Sequence, residues 1–113
     1  MGEATVRHRV GQSIAAARRA AGMTHADLAA RLGWPRDTLI HFEYGRRSLS
    51  IDRLTAIASA LDCEPATLLI ADTALAHIVE RLARDASLLQ QVAFFLQSLE
   101  DEHLNQSGSY PEP

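Results

Sequence analysis

THADLAARLGWPRDTLIHFEYG, residues 24–45, reads as two short helices joined by a tight turn. Thr24 offers a side-chain oxygen as an N-cap, and Ala26, Leu28, Ala29 and Leu32 follow at helical spacing. Gly33 comes directly after that apolar run, where a helix needs a residue that tolerates a left-handed backbone. Pro35 suits the first turn of a new helix, because its missing N–H has no intrahelical partner to lose there. The second helix runs to about Tyr44, and Gly45 stops it.

That second helix has two chemically different faces. At roughly 100° per residue, Leu39 and Phe42 fall on one side with Thr38 at its edge, while Arg36, Asp37, Ile40, His41 and Tyr44 fall on the other. One side anchors to a core, and the other presents hydrogen-bonding groups and one aliphatic group. A short helix held by a preceding helix and a glycine turn is the helix-turn-helix arrangement, whose second helix fits the DNA major groove. Arg36 is then expected to fork onto guanine O6 and N7, Ile40 to pack on a thymine methyl, and His41 to donate to a purine acceptor. Arg36 has a second reading as a phosphate clamp. Asp37 also has two, accepting from cytosine N4 or stabilising the positive end of its own helix.

Charge is segregated along the chain. The net charge of −3 is spread over 113 residues as eight Arg against four acids in residues 1–50, net +4, and three Arg against ten acids in residues 51–113, net −7. A basic N-terminal half supplies the footprint for phosphate, and an acidic C-terminal half stays off DNA. Every basic residue is Arg. Apolar content of 47% and charged content of 22% are ordinary for a globular protein. No stretch approaches the ~18–20 apolar residues that span a bilayer, the N-terminus has no apolar signal core, and the single Cys63 forms no internal disulfide. A cytoplasmic protein is expected, with Cys63 as a buried structural thiol between the fourth and fifth helices. The five His residues show no metal-ligand spacing, and no nucleophile–base or phosphate-loop motif is present. No metal, cofactor or enzymatic activity is expected.

The chain resembles the lambda-repressor/Cro-like (Xre-type) helix-turn-helix regulators. Gly11, Ile14, Arg18, Gly22, Met23, Leu28, Ala29, Leu32, Gly33, Leu39, Phe42, Glu43 and Gly45 carry the resemblance, which continues through Ser50, Leu54, Ile57, Ala58, Leu61 and Leu68–Leu69. It covers about Val10 to Ile70 in one register. It implies a five-helix DNA-binding domain, and a salt bridge from Arg18 to Glu43 that fixes the first helix against the end of the recognition helix. Two positions depart from the family pattern. His25 stands where Gln commonly touches phosphate and braces the recognition helix, and Pro35 follows Trp34 where a Ser or Thr cap is usual. Thr24 and His25, together with Arg46 and Arg47 in the loop after Gly45, complete the expected DNA-contact set.

The remaining elements follow from periodicity and caps. Residues 1–9, with Arg7, His8 and Arg9, are expected as a flexible leader, read alternatively as an arm touching DNA. The first helix is expected over about Val10–Ala21, with Val10, Ile14, Ala17 and Ala21 as its apolar stripe. Ser50 caps a fourth helix with a buried stripe of Ile51, Leu54, Ile57, Ala58 and Leu61, and Pro65 starts a short fifth, closing a DNA-binding domain over 10–71. Leu75, Ile78, Val79 and Leu82 mark a sixth helix ending near Arg84. Asp85 or Ser87 then caps a seventh, whose wide face comprises Leu88, Leu89, Val92, Phe95, Leu96 and Leu99 beside Phe94. Residues 72–103 are expected to dimerise through Leu88, Val92, Phe95, Leu96 and Leu99, and 104–113 to be a disordered tail.

The architecture expected is all-α, a five-helix DNA-binding domain with two additional C-terminal helices. The function expected is a homodimeric, sequence-specific regulator, a repressor on an inverted-repeat operator in double-stranded DNA. One alternative is an antitoxin-like protein whose C-terminal helices hold a toxin partner while the helix-turn-helix regulates its own promoter. Another is an interaction module with a degenerate helix-turn-helix, which the polar Arg36/His41 face argues against.

Overall fold

The computed structural model describes the backbone of residues 2–108 and the side chains of residues 6–103. Among these residues the chain is all-α, without strands: α1 (Gly2–Ala20), α2 (His25–Leu32), α3 (Arg36–Glu43), α4 (Ile51–Ala60), a 3-10 helix η1 (Pro65–Leu69), α5 (Thr73–Arg84) and α6 (Ala86–Gly108). Two compact units, Met1–Glu80 and Arg81–Pro113, divide the chain inside α5.

The first unit is built on side chains with no solvent exposure at all: Ile14 of α1, Leu28 of α2, Leu39 of α3 and Ile57 of α4. Fully burying each contributes about 1.5–3 kcal/mol. Ala29, Leu54, Ala58, Leu61 and Leu68 complete the core, with Val10, Ala17, Met23, Leu32, Trp34, Leu49 and Cys63 packed against it. Cys63 is therefore a packing residue, as expected, although only partly buried.

Local chemistry sets the helix ends. Thr24 and Asp27 form a reciprocal capping box: Asp27 N–H donates to Thr24 Oγ1 at 3.1 Å, and Thr24 N–H donates to Asp27 Oδ2 at 2.9 Å. Gly33 ends α2 at φ 69°, ψ 27°, a left-handed conformation that costs other residues strain. Ser50 Oγ accepts from Arg53 N–H at 3.1 Å to start α4, and Asp85 Oδ1 accepts from Leu88 N–H at 3.0 Å to start α6.

Four expectations change. The first helix begins at Gly2, so the presumed flexible leader is helical from residue 2; no proline interrupts it, and around His8 its backbone lies against Gly45, where a Cβ on the glycine would come within 2.9 Å. The buried face of α1 is Gly11, Ile14, Ala15 and Arg18, with Ala21 exposed beyond the helix end. Ile51 is 82% exposed; it lies in the first turn of α4, immediately after the cap, ahead of the buried turn that begins at Leu54. Helix α6 continues through Gly108 instead of ending near His103; of the expected tail, residues 109–113 lie outside the described residues.

The expected boundary at residues 71/72 also differs from the division after Glu80. Glu80 explains the difference. Its carboxylate accepts from Glu64 N–H at 2.9 Å and lies 3.1 Å from the Thr67 hydroxyl, which itself donates to Glu64 O at 2.7 Å. The first two turns of α5 are thereby tied to η1.

Gly11 sets how closely α1 approaches the end of α3. A Cβ there would stand 2.3 Å from the Glu43 carbonyl oxygen and 2.6 Å from that of Phe42. Alanine gains about 1 kcal/mol in helix propensity, but the obstructing atoms are backbone and move only with their helix. Gly11→Ala should therefore be destabilising by about 1–2 kcal/mol net, read as a lower urea midpoint at constant slope; an unchanged midpoint would count against this seat. A second expectation concerns acid. Hydrogen bonds from Thr24, backbone first and then side chain, hold the Asp27 carboxyl below its ordinary value. Its capping contribution is present above the unfolded carboxylate pKa of about 3.9 and is lost as pH falls below it. Asp27→Asn should lose that part of the acid dependence of unfolding, seen by comparing thermal midpoints of the two proteins from neutral pH down to about pH 3.

Candidate nucleic-acid interface

Helix α3 is only eight residues long, too short to persist alone in water. It is held from one side. Leu39, Phe42 and Glu43 are buried, whereas Arg36, Asp37 and Tyr44 are exposed and Ile40 and His41 are partly so. The two faces expected from the sequence are therefore those observed. Arg36 and Asp37 open the helix, and Ile40 and His41 stand one turn further along the same outward surface.

The angle of α3 is fixed by a buried charged junction. Arg18 Nε donates to Glu43 Oε2 at 2.7 Å and Nη2 donates to Oε1 at 3.1 Å, a two-pronged pair. Arg18 Nη1 donates to the Met23 carbonyl at 2.8 Å, tying the turn between α1 and α2 into the same junction. His25 Nε2 lies 2.9 Å from Glu43 Oε1 and 3.3 Å from Arg18 Nη2. One nitrogen cannot donate to the first and accept from the second, and the shorter contact to a carboxylate assigns the proton to Nε2, donating to Glu43. His25, expected among the DNA contacts, thus turns one ring nitrogen inward as a brace, the second task that the resemblance assigned to its position. Thr24 is exposed, its hydroxyl engaged in the capping box.

A second cluster joins the residue before the Pro35 cap to the last turn of α3 and the loop beyond it. Trp34, the residue before the Pro35 N-cap, meets Phe42 edge-on, with ring centroids 5.9 Å apart. The Arg53 guanidinium lies 5.4 Å from both ring centroids, and Arg47 lies 5.4 Å from that of Phe42. Arg46 stacks on Tyr44 at 5.2 Å. Arg7 Nη1 donates to Ser48 Oγ at 3.3 Å, bringing α1 to the loop that carries Arg46 and Arg47. Arg53 was not in the expected contact set, and Arg7 entered it only through the alternative reading of residues 1–9 as an arm touching DNA. Their partners are distant in sequence, so no local spacing signals them.

The matches to known proteins agree with this geometry. Residues 14–68 match the model of the Helix-turn-helix family. The restriction-modification controller protein C.AhdI from Aeromonas hydrophila is similar at 32% identity and a TM-score of 0.53, the match covering 56% of this chain and 94% of that one. The chain belongs to the helix-turn-helix family. Two structures of the clp gene regulator ClgR from Corynebacterium glutamicum are also similar. One match has 27% identity and a TM-score of 0.57 over 58% of this chain and 85% of that one. The other has 25% identity and the same TM-score of 0.57 over 77% and 88%. No curated protein sequence matches. The Xre-type pattern, the family match and the outward α3 face together make this chain a DNA-binding regulator and not an enzyme. Among the described residues no helix is long and apolar enough to cross a membrane.

The junction makes an energetic prediction. A buried ion pair adds little net stability, but removing one partner strands a buried charge and costs about 3–5 kcal/mol. Glu43→Ala should fall in that range by denaturant unfolding. Arg18→Met with Glu43→Leu should recover most of the loss, because neither charge is then left alone. A Glu43→Ala protein within 1 kcal/mol of wild type would mean that water reaches the Arg18 site.

Proposed function

We propose that the protein is a homodimeric, sequence-specific repressor acting in the cytoplasm on an inverted-repeat operator. The observation that carries this reading is the exposed polar face of a braced α3, on which Arg36, Asp37, Ile40 and His41 stand free of the core. Arg36 reads guanine and Ile40 a thymine methyl, His41 and Asp37 take further base-edge contacts, and Arg46 and Arg47 hold phosphate. Thr24 and the outer edge of His25 approach the backbone at the start of α2. The dimer reading is supported by α6. Leu88 and Val92 are partly exposed, and Phe94, Phe95, Leu96 and Leu99 are exposed in the single chain, Phe94 by 76%. A contiguous apolar surface of this kind marks a partner interface, and a two-fold pair is the commonest way for like chains to cover one.

Selection of bound duplexes from a random pool tests the reading. The expected product is an inverted repeat with half-site centres about 10 base pairs apart or a multiple of it. Arg36→Ala should relax preference at one base pair per half-site at a cost of about 1–3 kcal/mol, whereas Arg46→Ala should weaken all sequences alike. Uniform loss in Arg36→Ala would reassign that residue to phosphate. Phe95→Glu places a charge in the proposed interface and should give a monomer by sedimentation, with operator affinity reduced toward that of a single half-site. A wild-type chain that sediments as a monomer at micromolar concentration would leave this face to a different protein partner.

A further inference from the structure

We propose that Arg53, stacked on Trp34, forms with Arg47 a clamp for a single DNA backbone phosphate beside the start of α3. This rests on the DNA-binding reading and deepens it by assigning a positioning residue outside the recognition helix. Three observations converge on it. First, the guanidinium groups of Arg47 and Arg53 each lie 5.4 Å from the Phe42 centroid, and Arg53 is equally near that of Trp34. Both residues are thus held against aromatic rings that are themselves fixed by the core.

Second, among the described residues neither arginine makes an ion pair with a carboxylate. Two positive charges are therefore gathered around one aromatic ring without a carboxylate counter-ion. An oxyanion supplies that counter-charge, and a planar guanidinium already held over a ring loses little further freedom in binding one. Third, Pro35 caps α3 without any side-chain hydrogen bond. The first N–H groups of α3 therefore have no side-chain acceptor from the cap, and the positive end of the helix faces whatever lies before it. Arg53 supplies a donor from α4, where its own N–H is secured by Ser50 Oγ at 3.1 Å. The chemistry is recognition of a tetrahedral phosphate oxyanion, and the occupant proposed is a phosphodiester of the operator, not free phosphate.

The salt dependence of binding is the first test. Each phosphate contact contributes a slope of about −0.9 in log K against log salt. Arg53→Gln should flatten the slope by about that amount on selected and random duplexes alike, so that its affinity loss between 50 and 200 mM salt is about 3.5-fold smaller than that of wild type. Base preference should not change. Trp34→Leu keeps the charge and removes the stack, so affinity should fall with the slope retained.

A measurement on the unmutated protein guards against variants that fold poorly. Duplexes carrying one neutral methylphosphonate at a time should show a single strongly sensitive phosphate per half-site near the start of α3, and Arg53→Lys should reduce the sensitivity at that position only. Trp34 is the sole tryptophan, so its emission reports this site directly. It should respond saturably to duplex and not to millimolar inorganic phosphate. An unchanged slope and affinity in Arg53→Gln, with Trp34 emission and thermal midpoint as in wild type, would show that Arg53 is only a packing element. Saturable binding of inorganic phosphate below 1 mM would overturn the assignment to DNA. If wild type fails to prefer its selected duplex over random DNA, the repressor reading fails instead, which separates the two ideas.

Discussion

Glu43 is where the geometry of the outward α3 surface is decided. Its two carboxylate oxygens receive Arg18 from α1 and His25 from α2, and Glu43 is itself the last residue of α3. Three helices therefore share one buried anion. Because the pair is 8% and 4% exposed at its side chains, the attraction is little screened, and so is the penalty for misplacing either partner. Such a junction adds little net stability, but a helix displaced from it would leave a buried charge without its partner. Gly11 sharpens the constraint. It lets α1 lie against the carbonyls of Phe42 and Glu43, so backbone contact and charge pairing fix the same end of α3. The free end, with Arg36 and Asp37, is left to point outward.

The choice of arginine at three positions also becomes intelligible. Arg46, Arg47 and Arg53 each lie within 5.4 Å of an aromatic centroid. Ammonium groups on flexible stems would be more strongly hydrated and less readily held flat against rings. Guanidinium groups held over rings keep charge at defined places on a chain whose net charge is −3. Overall charge is thus a poor guide to this protein, and the local arrangement is a good one.

Most of the fold was legible because its signals are local. Thr24, Gly33, Gly45, Ser50 and Asp85 each act within a turn of their own position, and the core positions Ile14, Leu28, Leu39 and Ile57 each fall on the apolar stripe of their own helix. The division of α3 into buried and outward faces followed from the same periodicity. What was not legible depends on chain segments meeting across long sequence separations. Helix α1 starts at Gly2 although its place at the terminus suggested a frayed end, and its backbone near His8 lies close to Gly45. Glu80 carries the first unit beyond the point where family resemblance lapses, through hydrogen bonds to Glu64 and Thr67. Arg53 meets Trp34 only once α4 is packed against α2. Ile51 shows the opposite failure. Its apolar character suggested burial, but its place in the first turn of α4 leaves it in solvent.

The two units differ in how their helices are supported. In the first, every one of α1 to α4 contributes residues to a common core. In the second, α6 runs 23 residues, and none of its described side chains is fully buried. An isolated helix of that length has marginal stability from propensity alone, and tertiary packing of an apolar face ordinarily provides the rest. Leu88, Val92, Phe95, Leu96 and Leu99 recur at steps of three, four and one, tracing such a face along successive turns. Within a single chain that face remains largely in water. Covering it by self-association would couple the stability of α6 to protein concentration. Operator occupancy would then respond to the amount of protein more steeply than a single recognition helix allows, because the second half-site is engaged at the high effective concentration set by the first.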